Sequence, residues 1–182
     1  MKHAAVLLAE GFEEIEAITP IDLLRRGGVE VKLVGVTQQV VTGAHGITVT
    51  TDILLEEVHA EDLDCIVLPG GMPGSTNLAE SDGAAQLIMQ VFRAGKVVAA
   101  ICAAPAVVLA PLGILEGRQA TCYPGAETFA PGTSFSTLPL VRDGNLITAY
   151  GPGAAAEFAI AVLQALAGPE RAHEVKSKAL FT

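Results

Sequence analysis

The chain has 182 residues, a net charge of −9, 51% hydrophobic residues and only 4% aromatics. That length suggests one domain, 1–182, with a sizeable core, and an acidic surface without a basic cluster repels phosphate backbones and anionic lipid, so neither nucleic acid nor membrane is an expected partner. Three cysteines without metal-ligand spacing, Cys65, Cys102 and Cys122, read as free thiols of a reducing compartment, and the short apolar run at the N-terminus falls short of a signal peptide, so the expected location is cytoplasmic.

Residues 4–9, "AAVLLA", form a continuous apolar run, as in a strand buried on both faces. Next comes a helix opened by Glu13 and Glu14 and closed by Arg25, Arg26 and two glycines, a charge order that complements the helix dipole. Pro20 lies inside it and predicts a kink or break. Residues 29–36 alternate as a second strand, and 39–52 read as a hairpin turning at 43–46. "DCIVLPGG" at 64–71 is a buried strand ending at glycines. Apolar residues at 84, 87, 88, 91 and 92 have helical spacing, with Ser81 as N-cap and Gly95 as stop.

"VVAAI" at 97–101 is another strand, and "APAVVLAPLGIL" a short helix with Pro105 in its first turn. The uncharged stretch 97–115 is long enough to cross a membrane. Its two prolines and its change of period oppose a spanning helix. "RQATC" and "GNLITA" read as later strands, followed by helices on either side of Gly168. Strands alternating with helices predict an α/β sandwich: a mostly parallel sheet covered on both faces.

Ligands of such sheets bind beyond the carboxyl ends of the strands. The candidates there are 11–16, Gly70–Gly71 and Cys102–Ala103. Strand, Cys102, small residues, then helix is the layout of a nucleophile elbow. A helix N-terminus behind the sulfur favours thiolate, and the following N–H can face an oxyanion. Free cysteine is equally at home as a buried small hydrophobe. Cys65, inside a strand, reads that way; Cys122 stays undecided. The glycines of "VLPGG" can bring backbone N–H groups to a ligand or make a plain turn. Glu16 matters only if it turns inward. Of the four histidines, His45 at the hairpin tip has the most freedom to reach a site. No Ser-His-Asp triad, metal cluster or P-loop can be assembled, so no metal and no cofactor are expected.

The stretches "LAEGFEEIEAITPIDLLRRGG", "DCIVLPGGMPGSTNL", "VVAAICAAPAVVLA" and "ITAYGPGAAAEFA" together resemble the ThiJ/PfpI superfamily, in particular the branch of the Parkinson-disease-associated protein deglycase and its bacterial relatives. The resemblance runs along nearly the whole chain. It implies a flavodoxin-like fold, a homodimer, Cys102 as reactive nucleophile, Glu16 as its carboxyl partner, and Gly71 and Ala103 as residues whose amides face the site. Gly70, Tyr123, Cys122 and His45 are further pocket residues. Arg25 and Arg26 match a helix-end arginine pair, structural or dimer-forming. Tyr123 stands where relatives with a cysteine–histidine pair carry histidine, and His45 where some carry an arginine.

Two functions follow from the resemblance. One is a cofactor-independent, stress-protective enzyme of reactive carbonyls, of glyoxalase or deglycase type, acting on methylglyoxal-class compounds or glycated protein. The other is a redox-sensing or chaperone-like protein that works through oxidation of Cys102. A cysteine peptidase or amidase ranks below both, because the histidine is missing.

Overall fold

The computed structural model describes residues 1–181. Strand β1 (His3–Leu8) leads into helix α1 (Glu14–Arg26) and strand β2 (Glu30–Gly35). A hairpin of β3 (Val40–Thr42) and β4 (Thr48–Thr50) precedes the short β5 (Ile53–Leu54). Then come β6 (Cys65–Leu68), α2 (Gly74–Ala79), α3 (Asp82–Arg93) and β7 (Val97–Ile101). The chain continues through β8 (Leu140–Asp143), β9 (Leu146–Ala149), α4 (Ala155–Ala167) and α5 (Pro169–Lys178).

Seven strands form one sheet in the order β5-β2-β1-β6-β7-β9-β8, parallel except for β8 against β9. Successive strand residues point to opposite faces. Ala4, Val6 and Leu8 of β1 therefore pack with Ala17, Leu24, Phe158 and Val162 from α1 and α4. Ala5 and Leu7 pack with Leu87, Ile88 and Val91 of α3 on the other face. With both faces covered, the central strands are apolar throughout, which is why 4–9, 64–68 and 97–101 read so clearly in the sequence. The order β2-β1-β6-β7-β9 is that of the flavodoxin-like fold, and the chain reverses its winding between β1 and β6.

Helix α3 starts as predicted, with Ser81 Oγ accepting the Ala84 N–H at 3.2 Å. The 39–52 hairpin is present, with Val41 opposite Val49. The Arg25 guanidinium donates to the Val31 carbonyl at 2.8 Å, tying the end of α1 to β2.

Several expectations are corrected. Helix α1 runs unbroken through Pro20, a buried residue on the face that meets the core. Packing of α1 against α4 outweighs the lost backbone bond. Residues 118–122 are not a strand; Thr121 makes a single bridge to Ser136. The segment is held to β9 through a side chain instead of a strand ladder: the Thr121 N–H donates to Thr148 Oγ1 at 2.9 Å. The helix after Pro105 is one wide turn, Pro105–Leu109, closed by the Ala110 N–H to the Pro105 carbonyl at 3.0 Å. Pro111 has no N–H with which to extend it. The sequence reading missed β5, β8 and α2. Among the described residues, no helix is long and apolar enough to cross a membrane.

Candidate active site

Three strand ends converge. After β1 the chain turns through Gly11 into α1; after β6 it passes Gly70 and Gly71; after β7 it reaches Cys102. The Glu13 N–H donates to the Gly70 carbonyl at 2.9 Å, tying the first two ends together. The Cys102 N–H donates to Ala149 at 2.9 Å, and the Cys102 carbonyl accepts the Tyr123 N–H at 2.8 Å.

Cys102 has φ of 65°, the left-handed region that side chains other than glycine rarely enter. Ala103 and Ala104, both buried and small, allow the sharp turn. The sulfur leaves this turn toward Gly70 and Glu16. A Cβ on Gly70 would lie 2.5 Å from Cys102 Cβ, 3.0 Å from its Sγ and 2.7 Å from Glu16 Oε2. Only glycine leaves space there for the thiol and the carboxyl to meet. Gly71 sits at φ +88, and a Cβ on it would come within 2.5 Å of the Glu13 nitrogen.

Glu16 turns inward and is 0% exposed. Its Oε2 accepts the Gly70 N–H at 2.8 Å. Its Oε1 is buried without a hydrogen-bond partner among the described residues. Burial raises the carboxyl to about 7; the Gly70 N–H and Cys102 pull it down, and Glu13 pushes it further up. The upward direction matches expectation.

The thiol departs from expectation. Burial and the negative charge of Glu16 push Cys102 up to about 12, against the N–H groups of Gly71 and Ala103, which favour thiolate. Burial and the Glu16 charge thus push the sulfur toward its thiol form, and burial pushes the carboxyl toward its protonated form. Both amides singled out in the sequence do face the sulfur.

The other candidates divide. Tyr123, 49% exposed, lays its ring over Gly151, with Cδ2 3.1 Å from where a Cβ on that glycine would stand. Cys122 is buried, and burial followed by the Glu127 charge pushes its thiol to about 11. It lines a cavity that includes neither Cys102 nor Glu16. Cys65 is fully buried and its thiol is raised, as a structural cysteine's should be.

His45 is held by acidic groups. Its Nδ1 lies 3.0 Å from Glu14 Oε2 and 3.5 Å from Glu13 Oε1. Glu14 Oε1 accepts the N–H groups of His45 at 2.7 Å and Ile47 at 3.3 Å. Burial raises the Glu14 carboxyl, but the bonds from His45 and Ile47 outweigh it, and the net direction is down. The same bond, then the Glu13 and Glu14 charges, raise the imidazole above its ordinary value. Ligand atoms of Glu13, Glu14 and His45 come within 4.8 Å of one another. The existing bonds account for that closeness: they fasten the hairpin to the start of α1. Sequence reasoning took Glu14 for a solvated, dipole-matching residue and missed this anchor, because the partner lies 31 positions away.

The DJ-1/PfpI family pattern matches residues 2–165. The chain is 39% identical to protein dj-1beta of Drosophila melanogaster over 177 residues, 96% of this chain and 94% of that one. It is 36% identical to a Pyrococcus abyssi protein named as a deglycase over 151 residues, 81% of this chain and 89% of that one. It spans less than half of two Arabidopsis thaliana DJ-1 homologues, 40% of one and 46% of the other, at 38% identity to each. The structure of oxidised DJ-1 from Toxoplasma gondii superimposes with a TM-score of 0.95 at 34% identity, covering 100% of both chains.

Proposed function

The chain belongs to the DJ-1/PfpI family, and on that premise we propose that it is a cofactor-independent, cysteine-dependent enzyme of reactive carbonyl compounds, of glyoxalase or deglycase type, carried by one domain over 1–182. The observation that carries this is the pairing of Cys102, on its left-handed turn, with the fully buried Glu16. The likeness to a protein named as a deglycase supports the substrate class.

A carboxyl near 7 beside a high-pKa thiol is suited to general-base chemistry. As Sγ attacks the aldehyde carbon of methylglyoxal, its proton passes to Glu16 and a carbon–sulfur bond forms. The Gly71 and Ala103 amides stabilise negative charge at the sulfur and on the neighbouring oxygen. Glu16 returns that proton to the alkoxide, giving the hemithioacetal, and as base again moves a proton from C1 to C2 while the hydroxyl proton passes from the C1 oxygen to the C2 oxygen, which leaves a thioester. Water cleaves it, releasing lactate and the free thiol, so methylglyoxal plus water gives lactic acid.

Lactate formation from methylglyoxal tests this. Cys102→Ala should abolish it and Glu16→Gln should slow it by about 10²-fold or more. In the wild type, kcat/KM should rise with pH around 7, because the base must be ionised, and that rise should vanish in Glu16→Gln. Full activity in Cys102→Ala would overturn the proposal.

A further inference from the structure

One oxygen of Glu16 accepts the Gly70 N–H, and the other has no hydrogen-bond partner among the described residues. A buried carboxyl with so few donors is sensitive to the charges around it. Burial does most to hold its proton on, and the negative charge of Glu13 adds to that. Glu13 is the N-cap of α1, about one helical turn before Glu16. Its backbone is fixed at the site: the Glu13 N–H donates to the Gly70 carbonyl, and Gly70 in turn donates to Glu16.

The hairpin sets a cation against that charge. His45 Nδ1 lies 3.5 Å from Glu13 Oε1 and 3.0 Å from Glu14 Oε2. The bond to Glu14, then the two carboxylate charges, favour the imidazolium. The Glu13 side chain is 14% exposed, so water screens it poorly, whereas His45 at 68% exchanges its proton freely with solvent. The tip is held in place by its backbone, since Glu14 Oε1 accepts the His45 and Ile47 N–H groups. A Cβ on Gly43 would collide with that carboxyl, so the hairpin turns on a glycine to admit it. Among the described residues, the titratable groups that act on Glu16 are Cys102 and Glu13, and those that act on His45 are Glu14 and Glu13. Glu13 is common to both.

We propose that His45 is a positioning residue for the Cys102–Glu16 pair: its imidazolium, carried on the hairpin, offsets the Glu13 charge and so lets Glu16 ionise as the base. The proposal rests on the base chemistry assigned to Glu16. The sign follows from the charges. With a cation at His45, Glu16 gives up its proton at lower pH. With a neutral residue there, Glu13 acts unopposed and Glu16 keeps its proton longer.

The carboxyl can be titrated without turnover, by NMR of protein with isotope-labelled glutamate side chains; the signal missing from Glu16→Gln is that of Glu16. His45→Gln should raise the Glu16 midpoint by about half a pH unit, the scale of one partly exposed ion pair. The backbone bonds to Glu14 keep the hairpin fastened in that variant. Glu13→Gln should lower the midpoint, and adding His45→Gln to it should change nothing further. His45→Arg, with a permanent charge, should hold the midpoint at or below that of the wild type. An unmoved midpoint in His45→Gln, or a shift that persists in the Glu13→Gln background, would overturn the proposal. In turnover, the rise of kcat/KM with pH should move upward by the same amount in His45→Gln. A lower rate at every pH with the rise unmoved would mark a merely structural role and overturn it too. If the wild type forms no lactate, the carbonyl chemistry fails, and the carboxyl titration still judges His45 by itself.

Discussion

At the scale of the residue, Glu16 couples function to stability. Its carboxyl stands at about 7 in the fold against an ordinary 4.5. Between those values the folded chain holds a proton that the unfolded chain has released. The stabilisation is complete below the unfolded value and is lost as pH rises through about 7. The shift corresponds to about 3 kcal/mol. Denaturant unfolding at pH 5 and pH 8 should therefore show the wild type losing more stability than Glu16→Gln, by an amount of that order; parallel behaviour of the two proteins would contradict it. The inward position of Glu16 could not be decided locally, since Glu13, Glu14 and Glu16 look alike in sequence. Cys102 was legible from its small neighbours and from the strand before it. The direction of its pKa was not, because burial and a carboxyl 86 positions away in the chain decide it.

At the scale of the element, the site depends on a turn that tolerates no side chain. Gly70→Ala would put a Cβ 2.5 Å from Cys102 Cβ and 2.7 Å from Glu16 Oε2. The two must then part, at an overpacking cost of about 1–3 kcal/mol. Activity should fall at least about tenfold while far-UV circular dichroism stays native-like, since the loss is one of positioning. Wild-type activity in Gly70→Ala would show that the close approach is dispensable. Strands β1, β6 and β7 were legible because each is a short, uninterrupted apolar run. Strand β8, with the exposed Arg142 and an intermediate Asp143, carries no such run, though Asp143-Gly144 is a hairpin signal that could have revealed it. The 118–122 segment misled in the opposite sense: its composition is strand-like, but its Thr121 N–H is taken by the Thr148 hydroxyl and it makes a single bridge to Ser136, with no ladder.

At the scale of the whole molecule, charge and topology act together. A net charge of −9 draws cations toward the protein. Raising ionic strength from about 0.02 M to about 0.5 M should lower kcat/KM for an arginine adduct several-fold and leave that for neutral methylglyoxal within about twofold. Equal salt dependence would mean that the field does not select substrates. The fold serves the site by bringing the ends of β1, β6 and β7, adjacent in the sheet, to one edge.

The sequence by itself determined the alternation of strands and helices, the buried central strands and the cysteine on its elbow, because burial on two faces and a tight turn each demand particular residue types over a few consecutive positions. The tertiary structure alone decided which glutamate meets the sulfur, which one fastens the hairpin and that burial pushes the thiol up. Those depend on groups far apart in the chain, and their energies are set by distance and burial, which no local pattern encodes.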